Sequence, residues 1–309
     1  MHIVVYGTGG VGGYFGGRLA QAGNQVTFIA RGAHLEAIKK EGLTVKSIKG
    51  DFHIEDAVAT DDVPSIGKAD LILFAVKSWQ VTEAAQSALP IIHEHTTLLP
   101  LENGITSFDE IADMAGRSKV LAGLCRIISY IESPGVICHA GHEPSISFGE
   151  IDNNKSDRVQ AIDDLFTNAG IKSQVPDDIE AEIWKKFLFI ATMSGIGAIT
   201  RVPVGIFRSV DNTREMMVAM LREIFELAKA KGINLPEEVI DKTLSFIDSL
   251  PEGATASMQR DIMEGKPSEL EAQTGTVVKL GQTLGIPTPV NNLVYYSLLP
   301  QEMKVRNAN

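Results

Sequence analysis

Three glycines near the start of the chain stand where a phosphate can be held. Gly7, Gly9 and Gly12 spell G-x-G-x-x-G inside "YGTGGVGGYFGGRLAQAG". The preceding "HIVVY" reads as a strand, and a helical pattern follows to Ala22. In such a strand–loop–helix unit the first glycine permits the tight turn. The second lets the backbone approach a pyrophosphate, and the third lets helix and strand pack closely. The backbone of Gly7, Thr8, Gly9, Gly10, Val11 and Gly12 then forms a dinucleotide cradle. Its phosphate charge sits at a helix N-terminus, where free amides and the dipole favour an anion. Gly13, Gly16 and Gly17 are expected to serve helix packing instead.

Which dinucleotide fits is decided at the end of the second strand. A carboxylate about 20 residues on from the glycines holds a ribose 2′-hydroxyl. The segment "FIARG" places Arg31 there, and no carboxylate follows until Glu36. A guanidinium suits a 2′-phosphate and offers a hydroxyl no acceptor, so NADP(H) is the expected cofactor. Lys77 in "LILFAVKSWQ" and Asn103 in "LLPLENG" stand after two further strands. Ligands of open α/β sheets bind outside such carboxyl ends. On local grounds the same residues read equally well as turn residues, with Ser78 as a helix cap.

The second half offers a different chemistry. All seven histidines lie in the first half, so a histidine acid or base from the second is excluded. In "EIWKKFLFIATMSGIGAIT", Ile183, Trp184, Phe187, Leu188 and Ala191 share one apolar face at helical spacing. Lys185 points away from it. Lys186 falls on its flank, one turn before Ile190 and two before Ser194, and can lean into a cleft. An ammonium so placed can donate a proton to a developing alkoxide, although snorkelling beside an apolar face is the commoner fate of such a lysine. Ser257 and Asp261 are spaced i,i+4 on one helical face. Gly265 and Pro267 then break the helix, and Pro267 is placed to start the next one, with Glu269 in its first turn. Ser268 and Glu269 read equally as cap and dipole chemistry.

The elements that position these residues change character along the chain. "HIVVY", "QVTFIA", "LILFAV", "TLLPLENG", "KVLAGLCRIISYI", "GVICHA" and "SISFGE" read as strands alternating with helices, and Asp157 to Ala169 as a helix. That alternation predicts an α/β, Rossmann-type doubly wound parallel sheet with helices on both faces. From about Asp177 the periodicity is helical, as in "DNTREMMVAMLREIFELAKAKG", which stops at Gly232. "VPDD" marks the boundary, giving a nucleotide-binding domain over 1–175 and an all-α domain over 176–309.

Bulk composition narrows the function class. With 44% hydrophobic and 22% charged residues the chain reads as an ordinary globular protein. A net charge of -11 argues against a nucleic-acid-binding face. Cys125 and Cys138 are too few for a disulfide framework and lack metal-ligand spacing. No metal site is expected. The absence of a signal-like start or a long apolar run makes a cytoplasmic protein, not a membrane protein, the expectation. Apolar positions on the long helices leave a homodimer open.

Order and spacing together carry a family resemblance. "GTGGVGG", Arg31, "VKSWQV", "ENG", "IWKK" and "SMQRD" with Glu269 eight residues beyond resemble a ketopantoate reductase (2-dehydropantoate 2-reductase) over nearly the whole chain. The resemblance implies a Rossmann domain followed by a helical domain, with the site in the cleft between them. It implies Lys186 as the catalytic lysine that protonates the substrate carbonyl oxygen. Arg31 and Lys77 match NADPH contacts, Asn103 a residue of the cofactor and substrate cleft, and Glu269 a glutamate that contacts the cofactor. Ser257 matches a substrate-binding serine and Asp261 a carboxylate near it. Where many members carry asparagines one and two turns after the lysine, this chain has Ile190 and Ser194; Ser194 keeps a short polar contact to substrate, Ile190 none. The implied activity is NADPH-dependent reduction of a 2-keto acid, ketopantoate by resemblance, in pantothenate biosynthesis. The alternatives are the same chemistry on another 2-oxo acid, or a non-catalytic NADP(H)-binding sensor.

Overall fold

Short β-branched runs build the first sheet. In the computed structural model, which describes residues 1–307, β1 (His2–Tyr6), β2 (Gln25–Ile29), β5 (Val58–Thr60), β6 (Leu71–Phe74) and β7 (Thr97–Pro100) pair in the order β5-β2-β1-β6-β7. Every pairing in it is parallel. β6 and β7 are buried at every position, as strands covered on both faces must be. Tyr6 is paired with both Ile29 and Phe74, so β2, β1 and β6 end together. The chain leaves β1 toward β2 on one side and returns to β6 on the other, which makes a topological switch point at those ends.

Around this sheet lie α1 (Gly10–Gln21), α2 (Gly32–Glu41), α3 (Val81–Ala88) and α4 (Ser107–Ala115). A second sheet, on which α5 (Asp157–Asn168) packs with Phe166 against Phe148, contains β3 (Leu43–Ser47), β4 (Phe52–Ile54), β8 (Ala122–Ser133), β9 (Val136–Gly149) and β10 (Lys172–Gln174). It is mixed, because β8 and β9 form an antiparallel hairpin and β3 pairs antiparallel with β4. The sequence therefore predicts the first sheet well and the second poorly. "GVICHA" and "SISFGE", expected as separate strands, are one continuous strand that passes through Gly141 at φ +80°. β4 and β5 have three residues each, too few to show a period.

α1 lies between the two sheets, and its glycines explain how. A Cβ on Gly13 would stand 2.6 Å from Ile137, one on Gly16 2.6 Å from Val5, and one on Gly17 3.0 Å from Phe52. Those are strand side chains from both sheets, so bare helix faces replace side chains as packing surface.

From Ile179 the chain is helical: α6 (Ile179–Thr200), α7 (Val204–Phe207), α8 (Asp211–Ala230), α9 (Val239–Ser249), α10 (Ser257–Met263), α11 (Thr276–Leu284) and α12 (Pro289–Asn307). α6 is buried at every residue from Ala191 to Ala198 and contributes to both apolar clusters of the helical region. Gly197 permits α10 to approach, since a Cβ there would stand 2.4 Å from Gln259 Oε1. Pro267 does not open the next helix as expected. A π turn over Glu271–Gly275 does so, and Glu269 precedes it. The reason lies at Ser268, whose N–H donates to the buried Glu302 carboxylate at 3.0 Å and whose hydroxyl donates to it at 2.6 Å.

The chain divides into two units. Met1–Glu102 with Thr106–Ile179 form the first, and Asn103–Ile105 with the chain from Glu180 onward form the second. Ile179 is fully buried, lies against Gly149, and donates its N–H to Asn153 Oδ1 at 3.0 Å. No helix among the described residues is long and apolar enough to cross a membrane.

Candidate active site

The first unit presents a cleft of about 200 Å³ at the shared ends of β1, β2 and β6. Gly7, Thr8, Gly9, Arg31 and His34 are among its lining residues. Gly7 takes φ +100°, and a Cβ on it would stand 2.8 Å from Ala75 O, so only glycine makes this turn. Gly12 lets α1 close on the loop, since a Cβ there would be 2.1 Å from Gly7 O. Gly9 is different: a Cβ on it would meet nothing within 4 Å. That open approach, beside the first amides of α1, fits a pyrophosphate.

The other loop residues have internal tasks. Thr8 donates both its N–H (3.0 Å) and its hydroxyl (2.9 Å) to Ile29 O, tying the loop to the end of β2. A Cβ on Gly10 would stand 2.4 Å from Ser129 O, because β8 passes over the start of α1. Val11 packs its side chain against the core.

Arg31 is the N-cap residue of α2, with a side chain 63% exposed and 3.7 Å from the carboxylate of Glu83. Lys77 is exposed over the Trp79 ring at 5.7 Å, directly after Val76, which lines the cleft. The strand-to-helix loop there is held by the buried Glu102, whose carboxylate accepts the Val76 N–H at 3.2 Å.

His34 was not singled out from sequence, although it stands one helical turn after Arg31. Its Nδ1 accepts the Gly135 N–H at 3.0 Å, which ties α2 to the β8–β9 turn. Burial pushes its imidazole below the usual range, against a backbone bond to Thr8 that raises it, so the ring is neutral near pH 7.

The second unit gathers part of the other set. Asn103 Nδ2 donates to Glu269 Oε2 at 3.1 Å, joining residues 166 apart in sequence. Glu269 is buried, and the buried Gln273 donates to the same oxygen at 3.4 Å. The i,i+4 spacing of Glu269 and Gln273 across the start of the π turn was a legible signal for that second amide. Lys186 is half-buried on α6. Its neighbour Lys185 pairs with Glu182 at 2.8 Å. Ser257 opens α10 half-buried, and Asp261 follows one turn later on the same helix. Ile190 is partly buried against the apolar cluster around Met193 and Ile196. Ser194 is completely buried, and its hydroxyl has no hydrogen-bond partner among the described residues. It stands in the interior of α6 and presents no surface.

Comparisons with known proteins cover both units. Residues 3–153 match the family profile described as ketopantoate reductase PanE/ApbA, and residues 178–302 match the profile of its C-terminal part. The 2-dehydropantoate 2-reductase of Pyrococcus abyssi is 30% identical over 295 residues, covering 96% of each chain. An uncharacterized oxidoreductase of Bacillus subtilis, YkpB, is 28% identical over 96% of this chain and 98% of its own. The crystal structure of 2-dehydropantoate 2-reductase from Geobacter metallireducens superposes with a TM-score of 0.90 at 28% identity, over 97% of this chain and 99% of that one. The chain belongs to the ketopantoate reductase family, oxidoreductases that act on CH–OH groups with a nicotinamide dinucleotide.

Proposed function

We propose that the protein reduces a 2-keto acid to the 2-hydroxy acid with NADPH, and that 2-dehydropantoate is the substrate, reduced to pantoate for pantothenate biosynthesis in the cytoplasm. The observation that carries this reading is the hydrogen bond from Asn103 to the buried Glu269. It unites two residues that the sequence assigns to one site, in the unit whose α6 bears Lys186. We propose domains over 1–175 and 176–309, the first for the cofactor and the second for substrate and catalysis.

In the cofactor loop, Gly9 with the first amides of α1 at Gly10, Val11 and Gly12 would hold the pyrophosphate, and Gly7 and Thr8 would shape the turn. Arg31 would hold the 2′-phosphate, and Lys77 would make a further NADPH contact. When bound, the reduced nicotinamide supplies the hydride. Addition of hydride at C2 leaves negative charge on the carbonyl oxygen. The Lys186 ammonium stabilises that charge and passes a proton to the oxygen, which gives the hydroxyl. Lys186 then regains its proton from solvent. Asn103 and Glu269 orient the reactants, and Ser257, with Asp261 on the same helix, anchors the substrate's polar groups.

The test is NADPH consumption with 2-dehydropantoate as substrate. Lys186→Ala is expected to lower kcat by about 10²–10⁴ with cofactor binding retained. A variant with wild-type kcat removes the lysine from the mechanism. A second reading, a different 2-oxo acid, is favoured by Ile190, an apolar side chain where a hydrogen-bonding anchor would stand. A site without that bond can lose orders of magnitude against one substrate. Comparison of kcat/KM across branched and linear 2-keto acids separates the two.

A further inference from the structure

The sequence places no carboxylate at the end of β2, but the fold supplies one from elsewhere. Glu83 stands in the first turn of α3, the helix that follows β6. Its Oε1 lies 3.7 Å from Arg31 Nη2, and both residues line the cleft with Gly7, Thr8 and Gly9. Its side chain is 71% exposed, so the carboxylate is available to a ligand as well as to the arginine. The cleft therefore holds one group that attracts a 2′-phosphate and one that repels it. A carboxylate accepts a hydrogen bond from a ribose 2′-hydroxyl, which is how NAD-specific sites select their cofactor.

We propose that Glu83 is a specificity-determining residue that moderates the preference for NADPH and makes NADH a usable second cofactor. It acts in two ways. It competes with the 2′-phosphate for Arg31, and it offers the 2′-hydroxyl of NADH the acceptor that β2 lacks. The proposal rests on the reading of Arg31 as the 2′-phosphate contact.

Dissociation constants of the full-length protein for NADPH and NADH, measured by titration calorimetry without substrate, test it. Adenosine 2′,5′-bisphosphate and adenosine 5′-monophosphate serve as probes that lack the nicotinamide. Glu83→Gln is expected to tighten NADPH and weaken NADH by about threefold each, a typical effect for exposed charges, so that the ratio moves about tenfold toward NADPH. The bisphosphate-to-monophosphate ratio is expected to move likewise, and Glu83→Asp to stay near wild type. If Arg31→Ala favours NADH while Glu83→Gln leaves both ratios within about twofold of wild type, the role of Glu83 is overturned alone. If Arg31→Ala weakens both cofactors alike, the 2′-phosphate reading falls and the role of Glu83 with it.

Discussion

At the residue scale, the proposed roles of Arg31 and Lys186 are the ones that rest on charge. Arg31→Ala is expected to raise the Kd for NADPH by about tenfold or more, from loss of a hydrogen bond to a charged group, with NADH little changed. Fluorescence titration of both cofactors checks this. Asn103→Asp would set a second carboxylate against Glu269, where an amide now donates at 3.1 Å. Like charges that close destabilise the arrangement, so kcat/KM is expected to fall by about tenfold or more. Thermal melting should fall as well, because the buried Glu269 carboxylate loses a donor and gains a like charge. Residue type and local spacing singled out Arg31 as a candidate, and the family resemblance singled out Lys186. Glu83 was not, because its meaning depends on an arginine 52 positions earlier (83 − 31) that only the parallel order of β2, β1 and β6 brings near it. His34 escaped for a similar reason: its partner is the N–H of Gly135, on a hairpin far along the chain.

At the scale of elements, the start of α1 separates open space from tight packing within one glycine run. Gly10 faces the backbone of β8, with no room for a methyl group, and Gly9 faces open space. Gly10→Ala is expected to cost about 1–3 kcal/mol through overpacking, seen as a melting temperature lower by several degrees. Gly9→Ala is expected to melt near wild type yet bind NADPH about tenfold or more weakly, because its Cβ enters the approach of the pyrophosphate. Equal melting temperatures for the two variants would refute this division. The strand–glycine–helix unit was readable since its signal is local. The mixed second sheet was not, because short strands such as β4 and β10 gain their identity only by pairing with β3 and β9. The start of the helix after Pro267 was misplaced for a tertiary reason too: Glu302, distant in sequence, takes the Ser268 amide.

At the scale of the whole molecule, charge sets how folding responds to acid. The chain carries a net charge of -11, and several carboxylates titrate below their usual range in the fold. Burial pushes Glu150 up, but hydrogen bonds from Arg158 (2.6 and 2.5 Å) and Ser156 (2.6 Å) outweigh it and hold the carboxyl low. A depressed carboxyl contributes stability that is present above the usual carboxylate pKa, about 4.3, and lost as pH falls through the folded value. Urea unfolding is therefore expected to show a plateau near neutrality and a decline below about pH 5. Glu150→Gln should lower that plateau and flatten the decline. The path of the chain has a practical outcome as well. Asn103–Ile105 belong with the second unit although they fall between β7 and α4 of the first, and Ile105 packs beside the cluster around Phe187. A gene split at codon 180 would thus divide the sequence without dividing the structure. The second fragment would lack the amide for Glu269 and the Ile105 contact, so a working two-piece version must also graft that tripeptide.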